Sequence, residues 1–74
     1  MDEMYTTVCF EYNNQKSFGI ALIETIDDCT VILQLIPDVC PAKKRVDQLV
    51  KRCNELRLDP IHLEEVIEDF LAEE

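Results

Sequence analysis

His62 is the only histidine in this chain, and the only side chain whose ordinary titration lies near neutral pH. On a helix, Glu65 and Asp69 follow it at three and seven positions, so one stripe would carry an imidazole and two carboxylates, a donor set able to ligate a divalent metal. A plainer role competes. His62 is the third residue after Asp59, where a polar side chain can close a helix cap, and Glu65 and Asp69 suit a solvated acidic face. The cap and the solvated face are the expected roles. His62, Glu65 and Asp69 are the metal candidates, and no cofactor or metal is expected.

Cys9, Cys29, Cys40 and Cys53 are the other residues with chemical potential. Structural zinc sites usually contain a close Cys pair, whereas the intervals here are 20, 11 and 13 residues. Met1-Asp2-Glu3 is acidic rather than basic, and each apolar run is broken within about ten residues, so neither a secretion signal nor a membrane span is expected. The expectation is a cytoplasmic protein whose cysteines are free thiols acting as small hydrophobes. Nucleophilic catalysis would need a nucleophile, a base and an oxyanion pocket, and the supply is one histidine, one serine and one glycine. Gly19 inside a strand marks a bulge or a place where a neighbour packs close. An enzyme is not expected.

A chain of 74 residues supports one hydrophobic core and therefore one domain, 1–74. Met4 to Tyr12 is rich in β-branched and aromatic residues, Asn13 and Asn14 favour a turn, and Ser17 to Ile26 resumes the strand pattern. After Asp27-Asp28, Cys29 to Ile36 forms a third strand, which Pro37 is expected to end. Pro41 suits a first helical position, and Val46, Leu49, Val50, Cys53 and Leu56 then recur at helical spacing. Asp59 is a good N-cap for a second helix, with Pro60 at its first position and Leu58 stapled to Leu63. Its stripe is Leu63, Val66, Ile67, Phe70 and Leu71. The expected spans are strands at about 4–12, 17–26 and 29–36 and helices at about 41–56 and 60–72.

The tail from Leu58 to Leu71, with its Pro60-Ile61-His62-Leu63 and Val66-Ile67-Glu68-Asp69-Phe70 segments, resembles the close of a small bacterial domain family of unknown function found mainly in clostridia and their relatives. At the start of the first helix this chain has Cys40 where that family tends to carry Ser or Thr as the cap. The resemblance implies strands followed by two helices and a cytoplasmic origin. It brings no activity.

Six of the seven basic residues, Lys43, Lys44, Arg45, Lys51, Arg52 and Arg57, lie in or just after the first helix of a chain with net charge −9. A helix-turn-helix would have to place the second helix, with Glu64, Glu65, Glu68, Asp69 and Glu73, against phosphates, and repulsion opposes that. The first helix could still meet nucleic acid through Lys43, Lys44, Arg45, Lys51 and Arg52, but no aromatics interleave them. Pairing with the acidic helix beside it is the expected use of this charge.

These readings predict an α+β fold: a three-stranded antiparallel meander followed by two helices packed on one sheet face. The predicted core is Val8, Phe10, Ile20, Leu22, Val50, Leu63, Ile67 and Phe70. The uncovered face would carry Tyr5, Cys9, Ala21 and Ile23 with part of the third strand, too apolar for solvent, and those four are the predicted interaction residues. The expected function is a protein-interaction or regulatory module that forms a homodimer. A nucleic-acid binder and a metal or ligand binder centred on His62 are the alternatives.

Overall fold

Asn13-Asn14 and Asp27-Asp28 determine the topology. In the computed structural model, which describes residues 2–72, all four have positive φ (51°, 64°, 50° and 65°). Two consecutive left-handed residues make the tight turn whose twist matches flanking strands, and Asn and Asp tolerate that backbone better than other non-glycine residues. The turns connect β1 (Asp2–Tyr12), β2 (Gln15–Ile26) and β3 (Cys29–Cys40) into one antiparallel sheet of order β1-β2-β3. Helix α1 (Lys43–Glu55), a 3-10 turn (Pro60–His62) and helix α2 (Leu63–Ala72) follow. The fold is α+β, as the sequence predicts.

A turn with an even number of residues pairs odd positions of one strand with even positions of the next. Tyr5 therefore faces Leu22 and Thr7 faces Ile20, whereas Val8 faces Gly19 and Phe10 faces Ser17. This corrects the predicted core: Val8 and Phe10 lie on the opposite sheet face from Ile20 and Leu22. The first strand contributes Tyr5 to the core instead, 3% exposed. Tyr5, Ile20 and Leu22 pack with Val46, Leu49, Val50 and Cys53 of α1 and with Leu63 and Ile67 of α2. Phe70 is half-buried against this cluster, and Leu71 is exposed.

Pro37 does not end the third strand. Ile36 pairs with Ile20 and Cys40 with Phe18, so Pro37, Asp38 and Val39 stand opposite Gly19 alone. Asp38 takes a positive φ of 53°, and the distortion turns Val39 into the core. Any Cβ at Gly19 would overlap the Ile36 carbonyl oxygen and come within 3.0 Å of the Pro37 Cα. The close approach expected for this glycine is present.

The helix ends follow local chemistry. Ala42, not Cys40, is the N-cap of α1; its side chain offers no cap hydrogen bond, and its N–H donates to Cys40 Sγ at 3.4 Å. At the other end Leu58 N–H donates to Cys53 O and Arg57 N–H to Asn54 O, with Arg57 at φ 50° in the left-handed position that glycine usually fills. Asp59 caps the 3-10 turn by accepting from Ile61 N–H at 3.1 Å, with Pro60 directly after it.

Candidate interaction surface

One edge of the sheet is closed by α1. Asn54 accepts from Tyr5 N–H at 2.7 Å and donates to Tyr5 C=O at 2.9 Å, so its amide completes both backbone groups that Tyr5 turns away from β2. The Tyr5 hydroxyl donates to Leu58 O at 2.7 Å, and burial raises its pKa. Thr7 Oγ1 donates to Asp47 at 2.6 Å, and Lys43 donates to the same carboxylate at 2.7 Å. These bonds tie β1 to α1 at two levels and to the segment after α1 at a third. An open groove of about 580 Å³ runs beside them, lined by Thr7, Cys9, Lys43, Asp47, Lys51 and Asn54 among others. The amide and carboxylate of Asn54 and Asp47 are already engaged in holding the two elements together.

The opposite sheet face is uncovered by the helices. Its cross-strand rows are Met4–Ile23–Ile32, Thr6–Ala21–Leu35 and, beyond the third strand's distortion, Val8–Gly19 and Phe10–Ser17. None of these residues is charged, in a chain that is 31% charged. Leu33 is inserted as a bulge between the pairs Leu22–Gln34 and Ile23–Ile32. Met4, Ile32, Leu33 and Leu35 are 50%, 59%, 46% and 45% exposed, far more than a buried core side chain allows. Contiguous exposed apolar surface is uncommon on monomeric soluble domains.

Of the predicted interaction residues, Ala21 and Ile23 do lie on this face, Ala21 buried among its neighbours and Ile23 half-buried. Tyr5 does not: the strand parity places it under the helices. Cys9 shares Tyr5's side of the sheet, is exposed, and borders the groove. The sequence reading assigned part of the third strand to this face without naming residues; the exposed ones it left unnamed are Met4, Ile32, Leu33 and Leu35. A signal for the three on β3 was present in the run Cys29–Pro37, nine residues without a charge.

His62 is exposed in the 3-10 turn, with Nδ1 3.7 Å from Glu65 Oε2. It is its backbone N–H, donating to Asp59 O at 2.9 Å, that joins the cap. Among the described residues no three His, Cys, Asp or Glu side chains converge to hold a metal, so Asp69 does not complete a site with His62 and Glu65. None of the four cysteines forms a disulfide; Cys40 and Cys53 are buried, and desolvation pushes the Cys53 thiol pKa up. On the basic helix, Lys43 pairs with Asp47 and Lys51 reaches Glu55 at 4.0 Å. Arg45 lies over the Phe70 ring, 4.8 Å from its centre, which couples α1 to α2. Among the described residues no helix is long and apolar enough to cross a membrane.

Residues 2–73 match the family of unknown function DUF6514. The chain belongs to that family. No curated protein and no solved structure matches it. For this DUF6514 member the strands-then-helices order is thus accompanied by one surface without an evident structural role, the apolar sheet face and its β3 border.

Proposed function

We propose that the protein is a non-enzymatic interaction module of the cytoplasm that acts by associating with itself through the part of the sheet its helices leave open, the uncovered face or the β3 edge that borders it. The observation that carries this reading is the run of uncharged rows on the open face, with Met4, Ile32, Leu33 and Leu35 exposed together across its border. Small domains are marginal on their own, and a second copy supplies the buried area that a single core of this size lacks. The polar side chains that the fold gathers have structural work: Asn54 clamps Tyr5, Asp47 ties Thr7 to Lys43, and Asp59 caps the 3-10 turn. That supports a binding role over a catalytic one. The wide, unpaired spacing of the four cysteines supports a reducing compartment.

Sedimentation equilibrium across micromolar concentrations tests the reading. A mass rising from monomer toward dimer is expected, with Leu35→Lys shifting the protein to monomer while leaving its far-ultraviolet circular dichroism intact. A monomeric mass throughout, with Leu35→Lys changing neither mass nor solubility, would overturn it.

A further inference from the structure

We infer that the partner is a second copy docked edge to edge, β3 against β3 in antiparallel register about a two-fold axis normal to the sheet, forming a continuous six-stranded sheet. This rests on the self-association proposed above and specifies its geometry. Three features of β3 point to its edge rather than to the face alone.

The first is chemical. From Cys29 to Ile36 the strand carries no charge and no proline, so along this stretch it lacks the charged side chains with which sheet proteins often guard an open edge, and its protection is left to the bulge at Leu33 and the distortion after Ile36. The second is its apolar character on both sides. Leu35 and Ile32 belong to the open face, while Val31, paired with Glu24 on the helix side, is itself 44% exposed. Covering one face would leave Val31 in water, whereas a neighbouring strand flanks both sides at once. The third is backbone geometry. A two-residue turn makes Ile26 and Cys29 a hydrogen-bonded pair, so alternation turns the backbone groups of Thr30 and Ile32 outward, away from β2. On β1 the corresponding outward groups of Tyr5 are taken by Asn54.

A second copy fits because an edge that is uncharged and apolar on both sides is best matched by a strand of the same kind. A two-fold axis normal to the sheet reverses the strand direction, as antiparallel pairing requires, and keeps both helical layers on one side. The opposing face of the six strands then stays open, continuous and free of charge over the rows described. Charge sets the salt response. Asp27 and Asp28 at one end of β3 approach Asp38 at the other end of the partner's strand, and each chain has net charge −9, so salt relieves repulsion and tightens the pair. A basic partner would instead be released by salt.

Two substitutions separate edge from face. Thr30→Pro removes an outward N–H without touching the β2 ladder or any large apolar side chain, and is expected to weaken dimerisation about tenfold or more. Met4→Lys places a charge on the open face at the far strand, and is expected to leave edge pairing within about twofold of the native value. Sedimentation equilibrium of both, at about 50 and about 500 mM NaCl, should also show tighter native dimers at the higher salt. Amide exchange adds a readout that needs no variant: the Thr30 and Ile32 N–H groups should become protected as protein concentration rises. If Met4→Lys abolishes the dimer, Thr30→Pro preserves it and those amides exchange freely at every concentration, the edge model falls while self-association stands. If the native protein is monomeric throughout, both fall.

Discussion

β1 and β3 are both edge strands of one sheet, and they are treated in opposite ways. β1 is roofed by α1, its Tyr5 backbone is completed by Asn54, and its Tyr5 and Thr7 side chains are tied to Leu58 and Asp47. β3 has no such attachment along Thr30–Leu35, and Val31, Ile32, Leu33 and Leu35 stand in solvent. Helix α1 packs chiefly over β1 and leaves the outer stretch of β3 exposed, so one edge is completed within the chain and the other is left over. An unpaired apolar edge is a hazard for a solitary molecule and an asset for one that assembles. The difference locates stability on one side of the molecule and the proposed association on the other.

The largest test of that division is to delete a side chain on each edge. Tyr5→Ala removes a buried ring and the hydroxyl bond to Leu58 and is expected to cost about 3–5 kcal/mol in denaturant melts. Leu35→Ala, at a position nearly half exposed, is expected to cost under about 1 kcal/mol in dilute protein. Equal costs would mean that β3 is as integral to the monomer as β1. Next in size is Asn54→Ala, expected to cost about 1–3 kcal/mol, because the Tyr5 N–H and C=O lose their partners in a partly buried site. Amide exchange should then accelerate at Tyr5 and not in the β2–β3 ladder. Loss of protection across the whole sheet would show that the clamp stabilises more than its own edge.

Much of this arrangement was legible in the sequence. The paired Asn and Asp residues announced both turns, Asp59-Pro60 announced the second helical segment, and helical spacing identified Val50, Leu63 and Ile67 as buried. What failed was the assignment of sheet faces. Within one strand, Tyr5-Thr7-Cys9 and Met4-Thr6-Val8-Phe10 are comparable candidates for the core, and only register across the turn distinguishes them. The odd-to-even pairing imposed by a two-residue turn would have put Tyr5 with Leu22 and freed Val8 and Phe10. Pro37 misled for a different reason: proline ends a regular ladder, but a bulge that places three residues opposite Gly19 lets the chain pass it and rejoin at Cys40. The Asn54 clamp lies 49 residues from Tyr5, and no local pattern encodes such a contact.

The smallest expected effect concerns the ionic part of the β1 attachment. Asp47 accepts from Lys43 and Thr7, and these two hydrogen bonds, Lys43 first, hold its carboxyl below the ordinary carboxylate range. A carboxyl whose folded pKa is depressed contributes stability that is present above its unfolded value and is lost as pH falls through the folded value. Acid should therefore loosen the β1–α1 contact, while the Cys29–Pro37 stretch of β3 contains no acidic or basic side chain to respond. Following the Asp47 side-chain carboxyl carbon by NMR, the midpoint is expected to rise in Thr7→Val and to rise further in Lys43→Gln, since the Lys43 bond is the larger cause. Lys43 and Asp47 also form an exposed pair four residues apart on α1, which would depress the carboxyl even if the helix were detached from the sheet. The Thr7 substitution is thus the informative one, because its hydroxyl reaches Asp47 only across the interface between β1 and α1. If Thr7→Val leaves the midpoint unchanged, that cross-element bond is not formed in solution, and the closed edge depends on Tyr5 and Asn54 alone.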